Sequence, residues 1–77
     1  MKPEYSNEYM QLGLKIAYFR KLRGMTQEQL AESVGRSAAF IGHVEAPNIS
    51  KAVSLDTLFD IARVLEVPIY KFFLFEE

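Results

Sequence analysis

The 77-residue sequence contains no cysteine, no tryptophan and a single histidine, His43. Without cysteine, the chain has neither a disulfide framework nor a cysteine-rich zinc site to support its fold. One histidine is too few for a shared metal centre, and Ser37 near His43 lacks a third group that would orient the imidazole for catalysis. No glycine-rich phosphate loop is present either. We therefore expect no enzymatic activity, no metal and no cofactor.

The sequence also lacks a long apolar run and an excess of positive charge. No apolar stretch is long enough to cross a bilayer, and the polar N-terminus does not resemble a signal peptide, so we expect a cytoplasmic protein without a membrane partner. Nine Lys and Arg residues against ten Asp and Glu residues give a net charge of −1. Any affinity for nucleic acid must therefore come from the local placement of cations. The length is that of one domain.

Residues 26–45 have the pattern of two short helices joined by a tight turn. Thr26 and Gln29 have the spacing of a capping box, which satisfies free amides at a helix start. Gly35 is able to take the positive φ of a sharp reversal, and Ser37 is placed to cap the second helix. A helix, a turn with glycine and a second helix with one open face are typical of the DNA-binding helix-turn-helix motif.

Three further helices are predicted around this unit. The first follows a loose arm over residues 1–5, begins at Ser6 or Asn7 as its cap, and ends at Gly24. After a loop over residues 48–53, Ser54 caps a fourth helix.

Pro68 opens a short last helix that extends to about Phe73. With no strand pattern, the prediction is an all-α, compact five-helix bundle, a single domain over residues 1–77. Apolar residues at helical spacing should form its core: Leu12, Ile16, Phe19, Leu30, Ala31, Val34, Ile41, Val44, Leu58, Ile61, Ala62 and Leu65.

A second apolar stripe on the first helix, Leu14, Tyr18 and Leu22, exceeds what a helix of a small domain usually buries. The C-terminal end is also apolar, over Phe73–Phe75 and the tail of residues 74–77. Two arrangements remain open: the tail folds back onto this stripe within one chain, or stripe and tail form a homodimer interface.

The sequence resembles the helix-turn-helix domain of Cro-type and XRE-type bacterial and phage regulators. The resemblance covers about residues 12–73. The matching residues agree in register: Leu12, Ile16, Arg20, Gly24, Thr26, Gln27, Glu28, Leu30, Ala31, Gly35, Ser37, Ile41, Glu45, Ser54, Leu55, Leu58, Ile61, Ala62, Leu65 and Val67. The resemblance implies a repressor-like fold, a prokaryotic or phage origin, and a sequence-specific transcriptional repressor that binds double-stranded DNA as a homodimer. Its third helix, about residues 38–46, would enter the major groove.

The resemblance also implies a set of DNA-binding residues. The matching glutamine in the family bonds a DNA phosphate, which assigns that role to Gln27. A matching salt bridge between Arg20 and Glu45 would hold the guanidinium near the DNA backbone, or would be an ion pair with no DNA role, and the two interpretations are compatible. Lys15, Arg36 and Lys51 would complete a phosphate clamp.

The positions that reach bases in the family are nearly bare of hydrogen-bonding groups here. After Ser37, the outer face of the third helix carries Ala38, Ala39, Gly42, His43 and Ala46. Of these side chains, only His43 is able to bond a base or a phosphate. Phe40 is predicted to pack at the edge of the core or to lean on the DNA.

This departure keeps a second hypothesis open, an antitoxin-like protein-interaction module with weak or no specific DNA binding. If DNA is the ligand, Lys15, Arg20, Arg36 and Lys51 should surround the third helix on one face. No small-molecule ligand is indicated.

Overall fold

The computed structural model describes residues 2–49 and 51–75. Within these ranges the chain forms four α-helices and two short 3₁₀ segments, without any strand. The α-helices are α1 (Ser6–Leu22), α2 (Gln27–Ser33), α3 (Ala38–Glu45) and α4 (Leu55–Leu65), and the 3₁₀ segments are Pro3–Tyr5 and Ile69–Phe73. The predicted all-α class is confirmed, but the predicted fifth α-helix is wrong. After Pro68 the chain forms only a five-residue 3₁₀ helix.

Three helix starts are fixed by side-chain caps, as the sequence predicts. The Thr26 hydroxyl accepts a bond of 3.0 Å from the Gln29 amide, and the Gln29 side chain accepts one of 2.8 Å from the Thr26 amide. The Ser37 hydroxyl accepts a bond of 3.0 Å from the Phe40 amide at the start of α3. Ser54 caps α4 in the same way. Each cap satisfies an amide that has no partner inside the helix.

The start of α1 differs from the prediction. Neither Ser6 nor Asn7 caps the helix, because the chain enters it directly from the 3₁₀ turn Pro3–Tyr5 and Tyr5 occupies the capping position without a side-chain bond. The Ser6 hydroxyl instead donates to the Pro3 carbonyl over 2.7 Å. The predicted loose arm is therefore wrong for Pro3–Tyr5, while Met1 lies outside the described residues.

The core contains ten of the twelve predicted residues in buried positions, and Phe19 and Val34 pack against it half-buried. One large member was not predicted. Phe72, in the C-terminal 3₁₀ helix, is fully buried and its ring meets that of Phe19 edge to face at 5.2 Å between centroids. The end of the described chain therefore belongs to the core rather than to a free tail.

The remaining tail residues do not cover the second apolar stripe of α1. Phe73 and Phe75 lie beside Tyr9 and Leu12, around an apolar hollow of about 260 Å³. Leu14, Tyr18 and Leu22 stay 49%, 56% and 66% exposed. Within the protomer, Phe73 and Phe75 therefore do not fold back onto this stripe. Glu76 and Glu77 lie outside the described residues.

Among residues 2–49 and 51–75, no helix has both the length and the apolar character needed to cross a lipid bilayer.

Candidate nucleic-acid interface

A buried polar network joins α1, α2 and α3 beneath the helix-turn-helix unit. The Arg20 guanidinium donates to both carboxylate oxygens of Glu45, over 2.8 Å from Nε and 2.9 Å from Nη2. Its third nitrogen, Nη1, donates to the Met25 carbonyl over 2.7 Å. Gln27 Nε2 donates to Glu45 Oε1 over 3.0 Å. The network therefore ties the third helix to the first and to the start of the second.

This network places Arg20 inside the protein. Arg20 is 7% exposed and Glu45 is 6% exposed. The salt bridge that the resemblance implies is present, but all three guanidinium nitrogens are engaged by protein acceptors. These hydrogen bonds help to offset the cost of removing both charges from water. Arg20 is therefore positioned to hold α3 in place.

Helix α3 has one buried side and one outer side, as predicted. Ile41 and Val44 point into the core, whereas Ala39 and His43 are exposed. Three small residues on the same outer side, Ala38, Gly42 and Ala46, are half-buried. The outer face is therefore shallow and almost free of polar side chains.

Gly42 on this face is not required by packing within the protein. A β-carbon built at Gly42 would meet only Gln27 Oε1, at an ordinary contact distance of 3.5 Å. Glycine inside a helix is less favourable than alanine by about 1 kcal/mol. The protein's own packing therefore gives no reason for glycine at this position.

Two cations meet at the ring of Phe40, near the start of α3. The guanidinium carbon of Arg36 lies 4.0 Å from the ring centroid, and the ammonium nitrogen of Lys51 lies 5.8 Å from it. Both distances fall within the range of a cation–π interaction. Phe40 itself is half-buried and packs against the core, which confirms its predicted core-edge position. The contact with both cations had no signal in the sequence, because Lys51 comes from the loop beyond the helix.

Lys15 lies elsewhere. It lines a shallow groove on α1 with Gln11, Leu14 and Tyr18. At 100° per residue, Lys15 is about 200° around α1 from Gly13, whose backbone contacts Val44 of α3. Of the four cations expected around the third helix, the structure brings together only Arg36 and Lys51.

Within residues 2–49 and 51–75, no group of three or more His, Cys, Asp or Glu side chains is arranged to hold a metal ion.

The arrangement defines a helix-turn-helix domain in which α3, the second helix of the motif, has an open outer face. Comparisons with known proteins agree. A helix-turn-helix family profile matches residues 16–72, which is most of the chain. The chain belongs to the Cro/XRE-type helix-turn-helix family of DNA-binding transcription regulators. No curated protein sequence matches the chain at a significant level.

Several solved structures are similar to this chain. The restriction-modification controller protein C.AhdI from Aeromonas hydrophila superposes with a TM-score of 0.82 at 24% identity, over 91% of this chain and 99% of that one, and this likeness concerns the fold. The clp gene regulator ClgR from Corynebacterium glutamicum gives a TM-score of 0.77 at 25% identity, over 83% and 66% of the two chains. SinR, the master regulator for biofilm formation, was solved in complex with DNA and gives 0.72 at 26% identity, over 79% and 95%.

Proposed function

We propose that the protein is a sequence-specific transcriptional repressor that places α3 in the major groove of double-stranded DNA as a homodimer. The main support for this proposal is the outer face of α3, which carries mostly small side chains and is open to a ligand. Arg36 and Lys51 lie beside the start of this helix. A repressor of this kind acts by occupying promoter DNA that RNA polymerase would otherwise use.

The dimensions of α3 suit the major groove. An α-helix with its side chains is about 10–12 Å in diameter, which fits the major groove of B-form DNA, about 12 Å wide. Ala38 and Ala39 at the start of α3 allow close approach and offer methyl contacts to thymine. His43 is the side chain on the outer face that is able to exchange hydrogen bonds with a base edge. Recognition then depends on His43, methyl contacts and DNA shape, and we expect modest specificity.

The phosphate contacts are assigned to groups around this face. The Gln27 amide donates one hydrogen to Glu45, and its second hydrogen remains for a phosphate oxygen. Arg36, Ser37 and Lys51 lie at the start of α3 or beside it. Such contacts position the protein without reading the sequence. Arg20 is not included because it is buried against Glu45, and Lys15 is not included because it lies about 200° around α1 from Gly13.

The dimer is supported by the shape and surface of the protomer. One protomer measures 30 × 23 × 20 Å, so two protomers side by side are able to span half-sites one helical turn apart, about 34 Å. A monomer with few phosphate contacts would bind weakly. The exposed stripe Leu14, Tyr18 and Leu22 supplies an apolar surface for pairing, with Phe73–Phe75 as the second element.

Selection of bound sequences from a pool of randomised duplexes tests the proposal. We expect a palindromic consensus with half-sites one turn apart, and we expect His43→Ala to change the preferred bases. In parallel, sedimentation compares Leu22→Lys on the stripe with Leu55→Lys, a leucine of similar exposure on α4. Only Leu22→Lys should shift the protein towards monomer. Absence of any enriched sequence would contradict specific recognition.

The second candidate is an antitoxin-like interaction module, favoured by the combination of an almost apolar α3 face and the exposed stripe of α1. It predicts negligible affinity for duplex DNA at low salt, together with an apolar surface that pairs with another protein. The duplex titration separates the two candidates, because the repressor proposal requires measurable binding to random DNA.

A further inference from the structure

The ring of Phe40 lies between two segments that are distant in the sequence. Arg36 belongs to the turn before α3 and Lys51 to the loop after it, yet both cationic groups lie over the same ring, at 4.0 Å and 5.8 Å from its centroid. Among the described residues, neither cation forms an ion pair or donates a side-chain hydrogen bond. The ring is therefore the shared contact of two otherwise uncommitted positive charges.

We propose that Phe40 is a positioning residue for the DNA backbone: its ring holds Arg36 and Lys51 beside the start of α3, ready to meet phosphate groups. This inference rests on the proposed function and adds a role to a residue that carries no charge and forms no side-chain hydrogen bond of its own. Phe40 thereby sets how strongly the protein binds any duplex, whatever its sequence.

The physical reason is preorganisation. Free Arg and Lys side chains sample many rotamers, so fixing them on a phosphate costs conformational entropy and weakens binding. The negative face of an aromatic ring attracts both cations before DNA arrives. A guanidinium held through its carbon keeps its N–H donors, which lie in the plane of the group, available for phosphate oxygens. The ammonium of Lys51 likewise keeps its three donors.

Phe40 is itself held firmly enough to serve as a support. It packs half-buried against the core, and its backbone amide donates to the Ser37 cap. Two positive charges near one ring also repel each other, and an intervening phosphate relieves that repulsion. The same location is the start of α3, where the helix dipole favours an anion.

Fluorescence anisotropy with a random duplex tests the proposal through a set of variants at position 40. Phe40→Leu keeps an apolar side chain and removes the ring, whereas Phe40→Tyr keeps the ring. Phe59→Leu, on α4 and 48% exposed, is the matched control. We expect Phe40→Leu to weaken binding by up to about five- to thirtyfold, as the loss of two exposed cation–π contacts implies, while Phe40→Tyr and Phe59→Leu bind like the wild type. Circular dichroism and urea melts confirm that each variant is folded.

The double variant Arg36→Ala/Lys51→Ala provides the decisive comparison. In this background Phe40→Leu should have no further effect on DNA affinity, because the ring has nothing left to position. An equal loss in both backgrounds would mean that Phe40 touches DNA directly, and the inference would be wrong. Wild-type affinity in Phe40→Leu would also overturn it while leaving the proposed function intact. If the wild type itself binds no duplex, both proposals fail together.

A DNA-free measurement keeps the inference testable where Phe40→Leu loses stability. The side-chain protons of Arg36 near the ring should show an upfield ring-current shift in the NMR spectrum of Phe40→Tyr as in the wild type. Unshifted Arg36 protons in the wild type would contradict the contact on which the inference is built.

Discussion

A β-carbon on Gly13 would lie 1.8 Å from the backbone carbonyl oxygen of Val44. The backbones of α1 and α3 are therefore in direct contact, with no room for a side chain between them. This contact, together with the buried pair of Arg20 and Glu45, sets how deeply α3 sits against the rest of the domain. The same close packing determines how far the outer face of α3 projects from the domain.

The first prediction concerns Gly13. Gly13→Ala should destabilise the protein by at least about 2 kcal/mol, because overpacking against backbone has no flexible side chain to absorb it. Gly42→Ala is the matched control. Its added methyl meets only Gln27 Oε1 at 3.5 Å, so it should stabilise the domain by about 1 kcal/mol through helix propensity. Urea melts followed by circular dichroism measure both. If the two variants melted alike, the close approach of α1 and α3 would be incorrect.

The second prediction concerns the buried ion pair. Glu45→Ala should lower the free energy of unfolding by about 3–5 kcal/mol, because it leaves the Arg20 guanidinium buried without its carboxylate partner. The double variant Arg20→Met/Glu45→Leu should recover much of this loss, since it removes both charges. Glu32→Ala, an exposed carboxylate on α2, should change stability by less than about 0.5 kcal/mol. A small effect of Glu45→Ala in a urea melt would contradict a structural role for the pair.

The third prediction concerns the end of the chain. Truncation after Lys71 removes Phe72, which is fully buried, and should cost about 3–5 kcal/mol as the loss of a core phenylalanine does. Truncation after Phe73 retains Phe72 and should cost clearly less. Thermal melts of the two truncated proteins make the comparison. Equal melting temperatures would show that Phe72 does not belong to the core.

Local sequence signals predicted much of the fold. The caps at Thr26, Ser37 and Ser54 depend on a side chain and an amide three residues away, so the sequence contains all that is needed. Gly24 and Gly35 adopt positive φ, at +70° and +71°, as their positions at helix ends predict.

Long-range contacts were beyond the reach of such patterns. The Gly13–Val44 contact and the burial of Phe72 depend on how separate helices pack, and neither leaves a periodic signal. The predicted side-chain cap of α1 is absent because the 3₁₀ turn Pro3–Tyr5 leads directly into the helix. The same limit applies to the candidate interface, where Arg36 and Lys51 meet only through Phe40.

If α3 docks in the major groove with cations beside it on the phosphates, Lys51→Ala should change the salt dependence of DNA binding. Anisotropy titrations with a random duplex at several salt concentrations give log K against log salt for the wild type, Lys51→Ala and the control Lys71→Ala. Lys71 is exposed on the C-terminal 3₁₀ helix. We predict that Lys51→Ala makes the slope less steep by about 0.9 per bound protomer, for one lost counterion release, while Lys71→Ala leaves it unchanged. A folded Lys51→Ala protein with the wild-type slope and affinity would contradict the docking of α3.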